Sequence, residues 1–167
     1  MKFMPVIRVA TVEDVEAIRQ LADAIWWPSY SPILSTEQLT YMLAEIYSAE
    51  KITSQIINGE QTYLLLIEDN APVAFAAYSP REENTDIYKL HKLYCLPSTQ
   101  GKGYGKLLVD RVCADVLAAG KNIVELNVNR YNPSKGFYEK LGFTVIYEED
   151  IAIGPYWMND YVMRKQL

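Results

Sequence analysis

The sequence predicts an α/β fold, a mixed sheet with helices packed on its faces. Three observations lead there. Segments rich in β-branched residues or alternating at a two-residue period are interleaved with segments whose apolar residues recur at helical spacing. In chain order they read strand, two or three helices, three strands, helix, strand, helix, two strands, and such interleaving builds layered α/β architectures. One strand, ending Leu93-Tyr94-Cys95-Leu96-Pro97, runs straight into a glycine-rich loop and then a helix.

Each element has a local cause. Val6 to Ala10 is a short β-prone run. Thr11 caps a helix, with Asp14 in the capping-box position. Val15, Ile18, Leu21, Ala22 and Ile25 form its apolar stripe, and the helix is expected to run to about Ala24, stopped by Pro28 and Pro32. Trp26-Trp27-Pro28-Ser29-Tyr30 then reads as an aromatic loop. Trp27 and Tyr30 there either line an acceptor site or cover the edge of the core. Ser35 caps the next helix, with Gln38 completing a capping box and Leu39, Met42, Leu43 and Ile46 on its apolar face. Ser48 to Ile57 is a further short helix ending at Asn58-Gly59.

Thr62 to Ile67 and Pro72 to Tyr78 read as a hairpin around Asp69-Asn70. Asp86 to Leu96 is a long strand with Lys89, His91, Leu93 and Cys95 expected on one face and Leu90, Lys92, Tyr94 and Leu96 on the other. A helix with Leu107, Leu108, Val112 and Val116 along one side closes at Gly120. Ile123 to Val128 is a strand, Asn129 to Pro133 a turn, and Ser134 to Leu141 a short helix stopped by Gly142. Phe143 to Tyr147 and Tyr156 to Arg164 are the last strands, with Glu148-Glu149-Asp150 expected in the loop between them. Without repeat, low-complexity tract or linker, residues 1–167 are expected to form one domain.

The totals bound the function. The 167 residues carry 16 Lys and Arg against 21 Asp and Glu, a net charge of −5. With no basic stripe to neutralise phosphates, nucleic acid is not an expected partner. The acidity suits a cationic substrate, or serves solubility alone. No apolar run is long enough to span a membrane, and Met1 to Pro5 lacks the apolar stretch of a secretory leader. Cys95 and Cys113 read as reduced core residues, so a cytoplasmic location is expected. One histidine and two cysteines make a metal site an unlikely expectation, so none is assigned.

Three glycines at every second position, Gly101, Gly103 and Gly105, precede the amphipathic helix that carries Leu107. Backbone N–H groups left open there, with the positive end of the helix dipole, make an anion site suited to phosphate. Lys102 and Lys106 add charge beside it. The Walker A spacing is absent, and the dinucleotide fingerprint fails because its third glycine position holds Lys106. A glycine-rich turn without a ligand is the remaining alternative. No Gly-x-Ser-x-Gly elbow occurs, which removes a serine hydrolase.

The string that does fit is Gln-x-x-Gly-x-Gly, as Gln100, Gly103 and Gly105, after a strand ending Leu-x-Cys-Leu-Pro. It resembles the pyrophosphate loop of the GCN5-related N-acetyltransferases, the GNAT family. Downstream, Phe137-Tyr138-Glu139-Lys140-Leu141-Gly142-Phe143 resembles the family's second signature. The likeness extends over Ile7 to Met163, with its specific parts between residues 89 and 143. The C-terminal Tyr156 to Met163 and the Trp/Pro/Tyr segment near residue 27 are also similar to bacterial members likened to polyamine acetyltransferases. One departure concerns the family's asparagine, usually seven residues before the tyrosine. Asn132 lies six before Tyr138, and Tyr131 occupies the seventh place, so Arg130 and Asn129 share in the expected contact.

The resemblance implies a GNAT-like fold: a mixed, mostly antiparallel twisted sheet of about seven strands with helices on both faces. It implies acetyl-CoA as co-substrate, no metal, and a primary amine as acceptor, with a homodimer left open. Leu93, Tyr94 and Cys95 would pair with the pantetheine arm, and the Cys95 region would supply the oxyanion N–H. Gln100, Gly101, Lys102, Gly103, Tyr104, Gly105 and Lys106 would wrap the pyrophosphate, and Asn132 is the remaining cofactor contact. Tyr138 would be the general acid toward the departing thiolate; ordinary pKa values of about 8.5 for a thiol and 10 for a phenol make that transfer near balanced. His91, the one histidine, is the candidate base, against a histidine at a sheet–helix junction with water chains doing that work. Glu82, Glu83, Asp86 and Asp160 are candidates for holding a cationic acceptor. Cys95 as an acylated nucleophile would need an activating base and an exposed thiolate. A catalytically silent acetyl-CoA-binding module is the rival from another class, and protein N-termini or amino acids are the rival acceptors.

Overall fold

The computed structural model describes residues 4–167. Residues 1–3, part of the Met1 to Pro5 stretch, lie outside the described residues. The chain forms β1 (Val6–Val9), α1 (Val15–Tyr30), α2 (Thr36–Ile46), α3 (Ala49–Ile57), β2 (Thr62–Glu68), β3 (Ala71–Pro80), β4 (Ile87–Cys95), α4 (Tyr104–Ala118), β5 (Ile123–Asn129), α5 (Ser134–Lys140), β6 (Thr144–Ile153) and β7 (Tyr156–Gln166). The seven strands make one sheet in the order β1-β2-β3-β4-β5-β7-β6. Every neighbouring pair is antiparallel except β4 and β5, which are parallel. α1, α2 and α3 cover one face through a core of Ile18, Ile25, Trp26, Leu39, Ile52, Leu65 and Phe75. α4 covers the other through Leu108, Val112, Val116, Leu64, Ala76 and Leu126.

Local chemistry sets the element ends. Asp14 accepts from the Thr11 N–H at 2.8 Å, and one 3-10 turn (Val12–Asp14) leads into α1. Ser35 and Ser48 Oγ accept from the Gln38 and Lys51 N–H groups. The Gln38 side chain does not close its capping box. It donates instead to the Trp157 carbonyl at 3.0 Å and ties α2 to β7. Asp69 and Asn70 both take positive φ, 50° and 65°, as a two-residue hairpin turn requires.

Three expectations are corrected. α1 does not stop near Ala24; it runs through Pro28 to Tyr30. Pro28 falls in the last turn, so its missing N–H costs a single helical bond while the Ser31 N–H still reaches the Trp27 carbonyl at 3.0 Å. Trp26 and Tyr30, 3% and 6% exposed, anchor that turn in the core. Second, Glu148-Glu149-Asp150 is strand, not loop: these residues pair with Tyr161, Asp160 and Asn159 along the β6–β7 hairpin. An edge strand loaded with carboxylates resists edge-to-edge pairing, and Arg130, just past the end of β5, bridges Glu148 and Asp150.

The third correction is in β4. Ala77 opposes Lys92 but Tyr78 opposes Leu90, so His91 is an extra residue, a β-bulge. Alternation breaks there. Leu90, Leu93 and Cys95 all face α4, whereas His91 turns to the α1 side, where its Nε2 lies 2.7 Å from Ser79 Oγ. His91 and Cys95 therefore do not share a face.

Candidate active site

β4 and β5 are paired only from Ile87 opposite Ile123 to Leu90 opposite Leu126. Beyond that point Lys92 to Cys95 keep their β3 partners but have none on β5. The two strands splay at the bulge, and a cleft of about 960 Å³ opens between them. Leu93 to Cys95 form its floor. The glycine loop, Tyr138, Tyr30, Ile33 and Asn127 line it. Backbone N–H and C=O groups of a half-paired strand seek a partner, so this edge is built to receive an extended chain with amide groups.

The glycine loop shapes one part of that lining. Gly101 and Gly103 take φ of +85° and +78°, a conformation that side chains strain to adopt. Gly103 is the N-cap of α4, which leaves the first N–H groups of that helix without helical acceptors and aimed at the cleft. A Cβ at Gly105 would come within 3.0 Å of the Phe137 ring, so glycine there lets α4 and α5 approach. Lys102 pairs with Glu68 at 3.0 Å and Lys106 with Asp110 at 2.7 Å. Glu68 also accepts from the Tyr104 hydroxyl, which pushes that phenol up to about 12. Both lysine charges are thus paired within the protein. The anion-binding character of the loop rests on the backbone and the helix dipole.

Tyr138, Tyr30 and Tyr94 also line the cleft. Tyr138, 9% exposed, is held edge-on against Phe143 with ring centroids 5.9 Å apart. Burial raises its phenol well above the ordinary 10. Full transfer of its proton to a free thiolate is then uphill, not near balanced, so a hydrogen bond donated to sulfur is the service this phenol can give. The Tyr30 and Tyr94 hydroxyls are 3.2 Å apart, both phenols also raised by burial. Asn132 lines the cleft, and its Oδ1 accepts the Ser134 N–H at 2.9 Å, capping the start of α5. Asn129 Oδ1 does the same for the Tyr131 N–H.

Other expected residues behave differently. Trp27 is not in the cleft; its Nε1 donates to Asp23 at 3.2 Å on the outer side of α1. Glu82, Glu83 and Asp86 lie on the exposed β3–β4 loop, where Glu83 pairs with Arg81 and Asp86 with Lys121. Asp160 is buried at 5% exposure, on the α1 side of β7. His91 lines the cleft, but burial, then Lys89, Lys92 and Arg81, lower it to about 3. It is neutral at physiological pH and too weakly basic to hold a proton there. Burial pushes the Cys95 thiol up to about 11, which removes thiolate character. Sequence reasoning passed over Lys92, buried and donating at 2.8 Å to Gln61 and to the Tyr63 hydroxyl. It also passed over Asn127, whose amide donates to both Glu149 and Asp160. Its place beside Glu125 as one of two polar residues in the mostly apolar Ile123–Val128 run was the available signal.

With a glycine-rich loop, a splayed parallel pair and a buried tyrosine around one cleft, comparison with known proteins is decisive. The sequence profile of the Acetyltransferase (GNAT) family matches residues 20–143. The chain belongs to the GNAT family. A GNAT sheet of seven strands with helices on both faces is what the structure shows, and the family's activity is acetyl-CoA-dependent N-acyl transfer. An uncharacterised N-acetyltransferase of Mycobacterium tuberculosis is 28% identical over 155 residues, 92% of this chain and 98% of its own length. The spermidine N(1)-acetyltransferase of Thermoplasma acidophilum is 25% identical over 163 residues, 96% of each chain. Among solved structures, the PaiA N-acetyltransferase of the same organism in complex with coenzyme A superposes with a TM-score of 0.85 at 26% identity, covering 99% of this chain and 100% of that one. That structure carries coenzyme A. Among the described residues no cluster of three metal-ligating side chains occurs, and no helix is long and apolar enough to cross a membrane.

Proposed function

We propose that this GNAT protein moves an acetyl group from acetyl-CoA to the primary amine of a small cationic acceptor, by direct transfer in a ternary complex. One observation carries the reading: the glycine loop, the unpaired edge of β4, Tyr138, Tyr30 and Asn127 all line one cleft. Two substrates held in that cleft would meet beside Tyr138. The amine nitrogen attacks the acetyl carbon, the carbon–sulfur bond breaks, the nitrogen loses a proton and sulfur gains one.

This chain's residues divide the work. The N–H groups at the start of α4 hold the phosphates. Leu93, Tyr94 and Cys95 present backbone groups to the amide-bearing arm, and a β4 N–H near Cys95 meets the developing oxyanion. Tyr138 donates to sulfur. His91, held neutral, orients through Ser79 rather than taking the proton, so deprotonation falls to water reaching the cleft or to the incoming amine itself. The likeness to a spermidine acetyltransferase and the net charge of −5 support a polyamine-like acceptor. Free thiols at Cys95 and Cys113 are in keeping with a cytoplasmic location.

Thiol release from acetyl-CoA, measured against polyamines, monoamines, amino acids, aminosugars and short peptides, tests the proposal. Release with polyamines is the expected outcome. Release only with peptides or amino acids would move the acceptor class. Tight acetyl-CoA binding without release from any amine would leave a silent binding module.

A further inference from the structure

On the α1 side of the sheet, past the end of α2, the face of β5, β7 and β6 carries Asn127, Asp160 and Glu149. Glu149 stands directly opposite Asp160 across β6 and β7. Two carboxylates in that position repel, and sheets ordinarily avoid the pairing. The Asn127 amide bridges them, its Nδ2 donating to Glu149 Oε2 at 3.1 Å and to Asp160 Oδ2 at 3.2 Å. Both amide protons are then used. Asn127 Oδ1 and Asp160 Oδ1 remain, both shut from solvent and both without a donor among the described residues. Unmet buried acceptors of this kind are rare and call for an explanation.

The protein's own cations do not supply one. Arg81 and Arg164 are fixed on Glu125 at 2.7 and 2.5 Å. Arg130 spends its guanidinium on Glu148, Asp150 and the Asp160 carbonyl. Lys89 is near enough to feel Asp160 and Glu149 but forms no ion pair with either among the described residues. What is left is a set of oxygen acceptors with excess negative charge, and Asn127 carries that set to the wall of the catalytic cleft. An ammonium group, with three donors and no acceptor, is its chemical complement.

Building on the acetyl-transfer reading above, we infer that Asn127, Asp160 and Glu149 anchor the second, non-reacting ammonium of a diamine or polyamine acceptor. The reacting nitrogen is not the group held there. A carboxylate pair favours the charged form of an amine, whereas attack on a thioester needs the neutral form. The cluster therefore grips one nitrogen in its charged state and leaves the other free at the cleft, which makes it the determinant of diamine over monoamine.

Calorimetry with 1,4-diaminobutane and 1-aminobutane, on protein saturated with coenzyme A, tests this, because the two probes differ by one ammonium. The wild-type protein is expected to bind the diamine roughly tenfold or more tightly, the scale of a hydrogen-bonded charge. Asp160→Asn and Glu149→Gln are expected to bring that ratio toward one while coenzyme A affinity stays unchanged. If Asp160→Asn fails to fold, Glu149→Gln, at a half-buried position on the edge strand, decides. A wild-type ratio near one, a ratio unchanged in the folded variants, or equal loss of both probes would overturn the assignment. Thiol release from acetyl-CoA with the same two amines separates the readings. A ratio that collapses in the variants with no release from any amine keeps the site and rejects the transferase; equal release from both amines keeps the transferase and rejects the site.

Discussion

Tyr138 shows how burial decides what one side chain can do. Its phenol is enclosed by Phe137, Phe143 and the cleft wall, and it stays protonated far past neutral pH. Tyr138→Phe keeps the ring packing and removes only the donor. Turnover is expected to fall roughly 10²-fold with acetyl-CoA affinity retained, as for the loss of one positioned proton donor. Full activity in the variant, in a thiol-release assay, would take the hydroxyl out of the chemistry. The pH profile follows from the same environment. The phenol must be protonated and its pKa is raised, so its alkaline limb lies above pH 10; His91, lowered to about 3, adds no limb between pH 5 and 8. Tyr138 was legible in the sequence because Phe137 to Phe143 is a contiguous signature. The weakness of His91 as a base was not, because it follows from a bulge. A bulge is set by how β3 and β4 align, and strand alternation read from one chain carries no record of it.

At the scale of the element, the strand, loop and helix from Leu93 to Lys106 were readable in advance, since glycine at alternate positions has few purposes beside close backbone approach. α1 was misread at its end. Pro28 is a strong stop in isolation, yet burying Trp26 and Tyr30 outweighs one lost helical bond, and tertiary burial of that kind is invisible in local propensity. The same reasoning misplaced Trp27, which a longer helix rotates away from the cleft. The loop supports a sharp prediction. Nothing stands within 4 Å of a Cβ at Gly103, so the effect of a side chain there comes from its φ of +78°. Gly103→Val should stay folded, because the strain, about 1–2 kcal/mol, is local. It should lose acetyl-CoA binding by calorimetry, because a valine relaxes toward negative φ and turns the α4 N–H groups off the cleft. Unchanged affinity would refute the loop's assignment.

For the molecule as a whole, the layered order of elements was legible, while the polar seam on one face of its sheet was not. The seam follows the α1 side of the sheet, from Lys92 through His91 to Asp160, where charged groups sit beside an open cleft. Lys92 dominates its energetics near neutral pH. Burial, then Lys51 and Lys89, bring its ammonium from the ordinary 10.5 to about 7. Above that value the folded protein holds Lys92 neutral while the unfolded chain still binds its proton. The unfolded state then carries more protons, so stability rises with pH. The slope from this one group approaches about 1.4 kcal/mol per pH unit. The window runs from about pH 7 to 9, above which the raised thiol of Cys95 and the raised phenols begin to oppose it, because their protons are held in the folded state and lost from the unfolded one. Urea unfolding midpoints should therefore climb between pH 7 and 9 in the wild-type protein. In Lys92→Met they should stay nearly flat, since the methionine fills the same space beside Tyr47 and Tyr63 without a proton to lose. A wild-type midpoint that does not move across this window, or one that climbs equally in the variant, would mean that Lys92 keeps its charge inside the fold.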